Sequence, residues 1–415
     1  MPNEREFLNE LFRAALAAAD PAICLPPFLP TPPKGRTIVV GAGKAAAAMA
    51  AAVEDHYQGE IEGLVITRYG YVRHDSNQTK KIEVVEAAHP VPDQAGLDAA
   101  RRILKMVQGL TSDDFVLFLA SGGGSALMSV PADGIDFADK QALHKALVLS
   151  GANIAEINTV RKCLSAVKGG RLAAACGPAR IHTLVISDVP GDDPATVASG
   201  PTIRDTNPPE AAAAILEKYK IAVPATVKRH LSGPLMPQEN AHDFSRDTVQ
   251  VISRAADMLT AAATFARKRG IEPEICGDAL EGEAREVGTA MAKRALAETI
   301  RPRVLLSGGE LTVTVKAKGR GGPNTEFLLG LALALNGARN VHAISCDTDG
   351  IDGSEDNAGA IITPDTLARA RTAGLDAPAF LAGNDAYGFF EQLGDLIVTG
   401  PTCTNVNDFR AVLVT

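Results

Sequence analysis

The stretch VVGAGKAAAAMA, residues 39–50, decides how this chain is read. A β-branched run from Thr37 to Val40 ends in Gly41-Ala42-Gly43 and passes into a helix of small residues. Gly41, Gly43 and Ala46 satisfy the Gly-x-Gly-x-x-(Gly/Ala) turn that joins the first strand of a doubly wound α/β sheet to its helix. Such a turn sets backbone N–H groups and a helix start against an anion. Lys44, at the start of the helix, adds a point charge. The stretch predicts an α/β fold with an anion at its first strand end. It leaves open whether that anion is a dinucleotide, a phosphate or a carboxylate.

Outward from this turn, strands and helices alternate. Strands are predicted at 37–40, 63–67, 82–86, 115–120 and 182–187, and helices at 44–56, 93–108, 138–150, 153–175 and 209–218. This order predicts a Rossmann-like, largely parallel, doubly wound sheet. Upstream, residues 1–20 read as an amphipathic helix and PAICLPPFLPTPPKG (21–35) as a Pro-rich linker. The polar, Gly- and Pro-punctuated segment 232–247 marks a boundary, giving an N-terminal domain over 1–235 and a C-terminal domain over 245–415. The second domain alternates again: strand 248–252, helix 254–269, strand 271–276, helix 282–299, strands 303–307 and 311–316, helix 324–336 and strand 341–346. Helices near 363–373 and 384–392 and strands 395–399 and 410–414 follow. The two strands joined through GGEL read as a hairpin, which makes the smaller sheet mixed.

Composition narrows the function. A net charge of −8 lacks the basic footprint of a nucleic-acid binder, so an anionic ligand needs local positive charge. The six cysteines form no C-x-x-C pair, which favours reduced thiols over a zinc site. No apolar stretch reaches membrane-spanning length, and the acidic start is unlike a signal peptide. A cytoplasmic protein without membrane or nucleic-acid partners is expected. A homodimer is left open.

Ligands of open α/β sheets bind beyond the carboxyl ends of strands. Strand ends here run into SGGGSAL (121–127), SDVPGDDPATVASGPT (187–202), SGGE (307–310), DTDGIDGSEDNAGA (347–360) and GPTCTNVNDF (400–409). Gly122, Gly123 and Gly124, flanked by Ser121 and Ser125, suit a backbone anion nest. Asn158, Arg161, Ser165 and Lys168 recur at helical spacing, so Arg161 and Lys168 could meet a phosphate or carboxylate from one helix face. Asp188, Asp193 and Asp349 sit in loose acidic clusters that suit Mg²⁺ beside substrate phosphates. KGRGGPN (318–324) offers Arg320 on a glycine turn, with Pro323 fitted to the first turn of the next helix. Against NAD, the second strand ends in Arg68 rather than an acid, although Arg68 would accept the 2′-phosphate of NADP. His89 is the one histidine in an obvious functional loop. Walker A and protein-kinase signatures are missing.

VVGAGKAAAAMA, VVEAAHPVPD, SGGGSAL, NTVRKCLSAVKGGRLA, ISDVPGDDPATVASGPT, LLSGGELTVTVKAKGRGG, DTDGIDGSEDNAGA and LIVTGPTCTNVNDFR occur in this order from about residue 37 to 410. Together they resemble the class II glycerate kinases, whose C-terminal portion is the MOFRL domain. Some members carry the label hydroxypyruvate reductase. The resemblance implies two α/β domains with the active site in the cleft between them. It also implies ATP- and Mg²⁺-dependent phosphorylation of D-glycerate to 2-phosphoglycerate. Lys44 and Arg320 take the places of the family's lysine and arginine. Asp188 or Asp193 would bind Mg²⁺ or accept the hydroxyl proton. Gly41, Gly43, residues 121–125, Arg161, Lys168 and Asn324 are the expected substrate and phosphate contacts, and Asp188, Asp193 and Asp349 the candidate metal ligands. The chain departs from the family pattern with Pro323 where a second arginine is usual, Cys163 for a histidine and Cys403 for an asparagine. An NAD(P)H-dependent hydroxypyruvate reductase and a non-catalytic sugar-acid or nucleotide sensor are the alternatives.

Overall fold

Thr37–Ala42 forms a strand, β1, with all six residues buried. A computed structural model describes residues 3–72, 80–208, 210–233 and 242–415 of the chain. β1 lies inside a six-stranded sheet with β2 (Ile61–Arg68), β3 (Ile82–Ala87), β4 (Phe115–Ala120), β5 (Arg180–Ile186) and β6 (Thr248–Ser253). The order is β3-β2-β1-β4-β5-β6, and β3–β2, β2–β1, β1–β4 and β4–β5 all pair in parallel. This is the dinucleotide-fold order, which reverses between β1 and β4 and opens a crevice beyond their carboxyl ends. β4 is buried throughout like β1, as a central parallel strand covered on both faces must be. The helix Ala46–His56 buries Ala46, Ala47, Met49, Ala50, Ala52 and Val53. Its small side chains let it lie close to the sheet.

The chain divides into two compact units. One is Cys24–Ile252; the other joins residues up to Ile23 with Ser253–Thr415. The expected split at 1–235 and 245–415 therefore shifts at both ends. The strand expected to open the second alternation is β6, at the edge of the first sheet. Residues 234–241 of the expected boundary segment lie outside the described residues.

The first helix, Glu4–Ala18, also belongs to the second unit. Its apolar face, Phe7, Leu8, Leu11 and Phe12, packs on the helix Ala255–Lys268 and on two strands of the second sheet. Phe7 meets Phe265 at 6.0 Å and Phe12 stacks on Phe409 at 5.6 Å between ring centroids. Arg5 donates to Asp395 at 2.7 Å.

The second sheet contains β7 (Glu272–Gly277), β8 (Arg303–Ser307), β9 (Val341–Asp347), β10 (Gly359–Ile362), β11 (Leu396–Ile397) and β12 (Asp408–Val414) in the order β11-β10-β9-β12-β8-β7. It is mixed: β7 and β8 are parallel and the other pairs antiparallel. The expected hairpin of 303–307 with 311–316 does not form. β8 is already paired on both edges, by β12 and β7, and Thr312 makes an isolated bridge to Glu283. The expected helix 153–175 is also broken. It ends at Cys163 and restarts at Arg171. Ser165 Oγ accepts from Val167 N and Lys168 N, a local turn that competes with the helix, and Gly169 and Gly170 adopt positive φ.

Leu11 is fully buried in the second unit. Leu11→Ala is expected to cost about 2–5 kcal/mol in urea unfolding. Hydrogen exchange should lose protection in β9 and β12 and keep it in β1 and β4.

Candidate active site

The turns after β1 and β4 are tied together. Lys44 N donates to Gly122 O at 2.8 Å, Ser121 N to Ala42 O at 3.3 Å and Ala45 N to Ser121 Oγ at 3.0 Å. Gly43 has φ +147°, and a Cβ there would stand 2.0 Å from Ser121 Oγ. The glycine of the fingerprint is therefore required by the neighbouring turn. Ser121, fully buried, acts as a brace between the turns. Gly123, at φ +82°, sits where a Cβ would come within 3.1 Å of the His89 ring and 3.4 Å of Lys44 Cγ. Lys44, His89 and the glycine turn are thus brought together at the switch point of the sheet. Gly122 and Gly123 donate no backbone hydrogen bond among the described residues.

Beside this turn lies a cavity of about 540 Å³, lined by Ser125, Lys140, His144, Arg161 and Lys168 among apolar side chains. It is carried by a helical annex: helices Phe137–Leu149, Ile154–Cys163, Glu210–Lys218 and Ala225–Ser232 share a small core with Leu143, Leu147, Val160, Leu164 and Leu216. Although the helix breaks between them, Arg161 and Lys168 meet in this cavity, as does Ser125.

Lys168 Nζ, 1% exposed, donates to Ser125 O and Met128 O at 2.8 and 2.9 Å. Lys140 Nζ donates to Val130 O at 2.9 Å. Arg161 donates through Nη1 to Asn158 Oδ1 at 3.3 Å and through Nε to His144 Nδ1 at 3.2 Å, with Nη2 3.0 Å from His144 Nε2. Asn158 and Ser125 are joined through Ser199, whose Oγ donates to Asn158 Oδ1 at 3.3 Å and shares a hydrogen bond with Ser125 Oγ at 2.7 Å. Every partner of the three cations is neutral, and among the described residues none of the three forms an ion pair.

The electrostatics follow. Burial, reinforced by Arg171 and Arg161, lowers the Lys140 ammonium to about 7. Burial and the three neighbouring cations lower His144 to about 4. Burial lowers Arg161 to about 10, and burial with Lys140 and Arg161 pulls Lys168 well below its ordinary value. The sequence reading missed Lys140 and His144. Their signal is an i, i+4 basic pair set among Leu143 and Leu147 on one helix.

Asp188 is half-buried just beyond β5. Asp193 is exposed, and its carboxylate accepts from Ala195 N at 3.0 Å and Thr196 Oγ1 at 3.2 Å, as a turn cap. Asp349 belongs to the other unit, 1% exposed, and accepts from Ile351 N at 2.9 Å. Among the described residues no three His, Cys, Asp or Glu side chains are grouped to hold a metal. Arg320 is half-exposed, donates to Glu391 at 2.8 Å and lies 4.6 Å over the Tyr387 ring. Asn324, expected as a substrate contact, lies in the core of the other unit. It is fully buried, donates through Nδ2 to Asp408 at 2.7 Å and accepts from Ser345 Oγ at 2.6 Å. Pro323 opens the helix Pro323–Leu335, as its fixed φ and missing N–H allow.

Lys140 binds fewer protons folded than unfolded between about pH 7 and its ordinary value, so its contribution to stability rises with pH across that window. Relative to Lys140→Met, the wild type is expected to gain up to about 1.4 kcal/mol per pH unit there. Urea denaturation at pH 7 to 10 in buffer free of phosphate measures it. Val130 O keeps Ser165 Oγ as a donor in the variant.

Comparison with known proteins agrees with this architecture. Residues 7–232 match the family model described as Domain of unknown function (DUF4147), and residues 303–408 match the MOFRL family. The chain is 39% identical to the D-glycerate 2-kinase of Thermotoga maritima, over 98% of this chain and 97% of that protein. It is 50% identical, over 99% of this chain and 94% of the other, to an Agrobacterium vitis protein provisionally named a hydroxypyruvate reductase. The crystal structure of a glycerate kinase from Thermotoga maritima superposes with a TM-score of 0.89 at 37% identity, covering 99% of both chains. The chain belongs to the glycerate kinase family built from the DUF4147 and MOFRL regions, phosphotransferases that act on an alcohol group.

Proposed function

We propose that this protein is a glycerate 2-kinase, transferring the γ-phosphoryl group of ATP to the 2-hydroxyl of D-glycerate with Mg²⁺. The similarity to the D-glycerate 2-kinase of Thermotoga maritima over nearly the whole chain carries the reading. The convergence of Lys44, His89 and the glycine turn at the sheet's switch point supports it.

Phosphoryl transfer rests on positioning and charge neutralisation. The 2-hydroxyl oxygen forms a bond to the γ-phosphorus. The bond from that phosphorus to the β,γ-bridging oxygen breaks, and ADP leaves with the electron pair. The hydroxyl proton passes to Asp188, the half-buried carboxylate beyond β5. Gly122 and Gly123 offer backbone N–H groups, and Lys44 a positive charge, to the transferring phosphoryl group. Arg320 is kept as a second cationic group on the family pattern alone. Mg²⁺, when bound, neutralises charge on the triphosphate. Among the described residues no carboxylate cage is preformed, which fits an ion that takes most of its ligands from phosphate and water, the loop 188–193 supplying its protein contact.

The dinucleotide order of the sheet and the name of the Agrobacterium vitis relative favour a second reading, an NAD(P)H-dependent hydroxypyruvate reductase. Against NAD, the residue at the end of β2 is Arg68, which stacks 5.2 Å over Tyr71. A sensor of sugar acids or nucleotides would bind in the same place without turnover.

ATP, Mg²⁺ and D-glycerate, coupled directly to enolase, should give phosphoenolpyruvate without added mutase. A signal that needs the mutase would instead mean transfer to the 3-hydroxyl. NAD(P)H consumption with hydroxypyruvate would overturn the kinase, and binding without turnover in either assay would leave a sensor. Lys44→Ala is expected to lower kcat at least about tenfold, as loss of one charge-stabilising group does; unchanged kinetics would remove Lys44 from the site.

A further inference from the structure

The cavity beside the glycine turn is lined by both basic and apolar side chains. Lys140, Arg161 and Lys168 line it, each oriented by neutral partners and none offset by a carboxylate among the described residues. At the C-terminal end of the helix Phe137–Leu149, Leu147, Val148 and Leu149 add apolar side chains that reach the surface, where Val148 is 52% and Leu149 76% exposed. A small hydrophilic acid has no apolar body for these side chains and would leave most of the roughly 540 Å³ unfilled. The size falls within the range of pockets that bury most of a drug-sized ligand. Buried cations without a counter-ion weaken the fold unless an anion joins them, and their lowered pKa values record that cost.

We propose that this cavity is a nucleoside polyphosphate site, with base and sugar against Leu147 and Val148, and phosphates on Arg161, Lys140 and Lys168. This assignment rests on the kinase reading, to which it adds the place and the determinants of nucleotide binding. Arg161 is the principal contact. Its His144 and Asn158 partners fix the plane of the guanidinium, and planar donors suit phosphate oxygens. His144, held neutral by burial and by its cationic neighbours, orients Arg161 without cancelling its charge. Lys168 ties the site to the transferring turn, because its ammonium holds Ser125 O.

Isothermal titration of the full chain with ADP, together with KM for D-glycerate, tests the assignment. Arg161→Met is expected to weaken ADP at least tenfold and to leave KM for D-glycerate within twofold. Val148→Trp, which fills the apolar lining from a half-exposed position the fold tolerates, is expected to do the same and carries the test alone if Arg161→Met fails to fold. Unchanged ADP affinity in a folded variant overturns the assignment. So does a raised KM for D-glycerate with ADP affinity intact, which would give the cavity to the acceptor. A chain that binds ADP through these residues yet leaves D-glycerate unphosphorylated keeps the cavity and loses the proposed reaction. A chain that phosphorylates D-glycerate while both variants bind ADP normally keeps the reaction and loses the cavity.

Discussion

The arrangement of the Cys24–Ile252 unit depends on one buried ammonium. Lys168 sits beneath the short helix Gly124–Leu127 and donates to the carbonyls of Ser125 and Met128. Those carbonyls lie at a helix C-terminus with no later turn to accept from, and a cation there satisfies them and meets the negative end of the dipole. Through this contact the segment after the helix Ile154–Cys163 is fixed to the glycine turn, and that turn is braced to β1 by Ser121 and Lys44 N. Hydrogen bonds to a charged donor contribute about 1.5–3 kcal/mol each, while burying the charge costs several kcal/mol. The site is therefore held in place at the expense of stability, and Lys140 and Arg161 add to the cost.

The other unit handles buried charge differently. Arg410, 1% exposed, pairs with Asp408 at 3.0 Å and donates to the carbonyls of Gly308 and Gly309. Asn324 links Asp408 to Asp352, whose carboxylate also accepts from Thr325. Burial holds Asp352 up at about 6 despite those hydrogen bonds. Cation and carboxylates are internal partners here, so the network needs no ligand. Asn324 is tied into that network, whereas Arg161 and Lys168 line a cavity without a carboxylate partner among the described residues.

Much of the fold was legible because its strongest signals are local. β1 and β4 are continuous apolar runs that end in glycine, and such runs read as buried parallel strands before a turn. The Rossmann-like sheet follows from that alternation; the second sheet is mixed as expected, but through antiparallel pairs other than the expected hairpin. Failures came where pairing or packing over a long distance overrides local pattern. β10 is too short to show a period. Residues 311–316 carry strand-like residues but find β8 already occupied. The basic spacing of Arg161 and Lys168 suggested one helix face; their actual meeting depends on the turn at Ser165 and on a second helix that brings Lys140 and His144. Cys163 sits quietly in the core of the annex. No spacing rule shows which of two helices will fold over the other.

The helix Glu4–Ala18 has a consequence for the order of synthesis. Its apolar face is made at once, but the strands it covers, β9 and β12, are encoded more than three hundred residues later. At ~5–20 residues per second the ribosome takes on the order of tens of seconds to reach them. Until the helix Ala255–Lys268 and then these strands emerge, Phe7, Leu8, Leu11 and Phe12 have no native surface to cover, while the Cys24–Ile252 unit can already close its own core. The nascent chain thus carries an adhesive leading segment past a finished domain, a natural client for a chaperone that acts on emerging polypeptides.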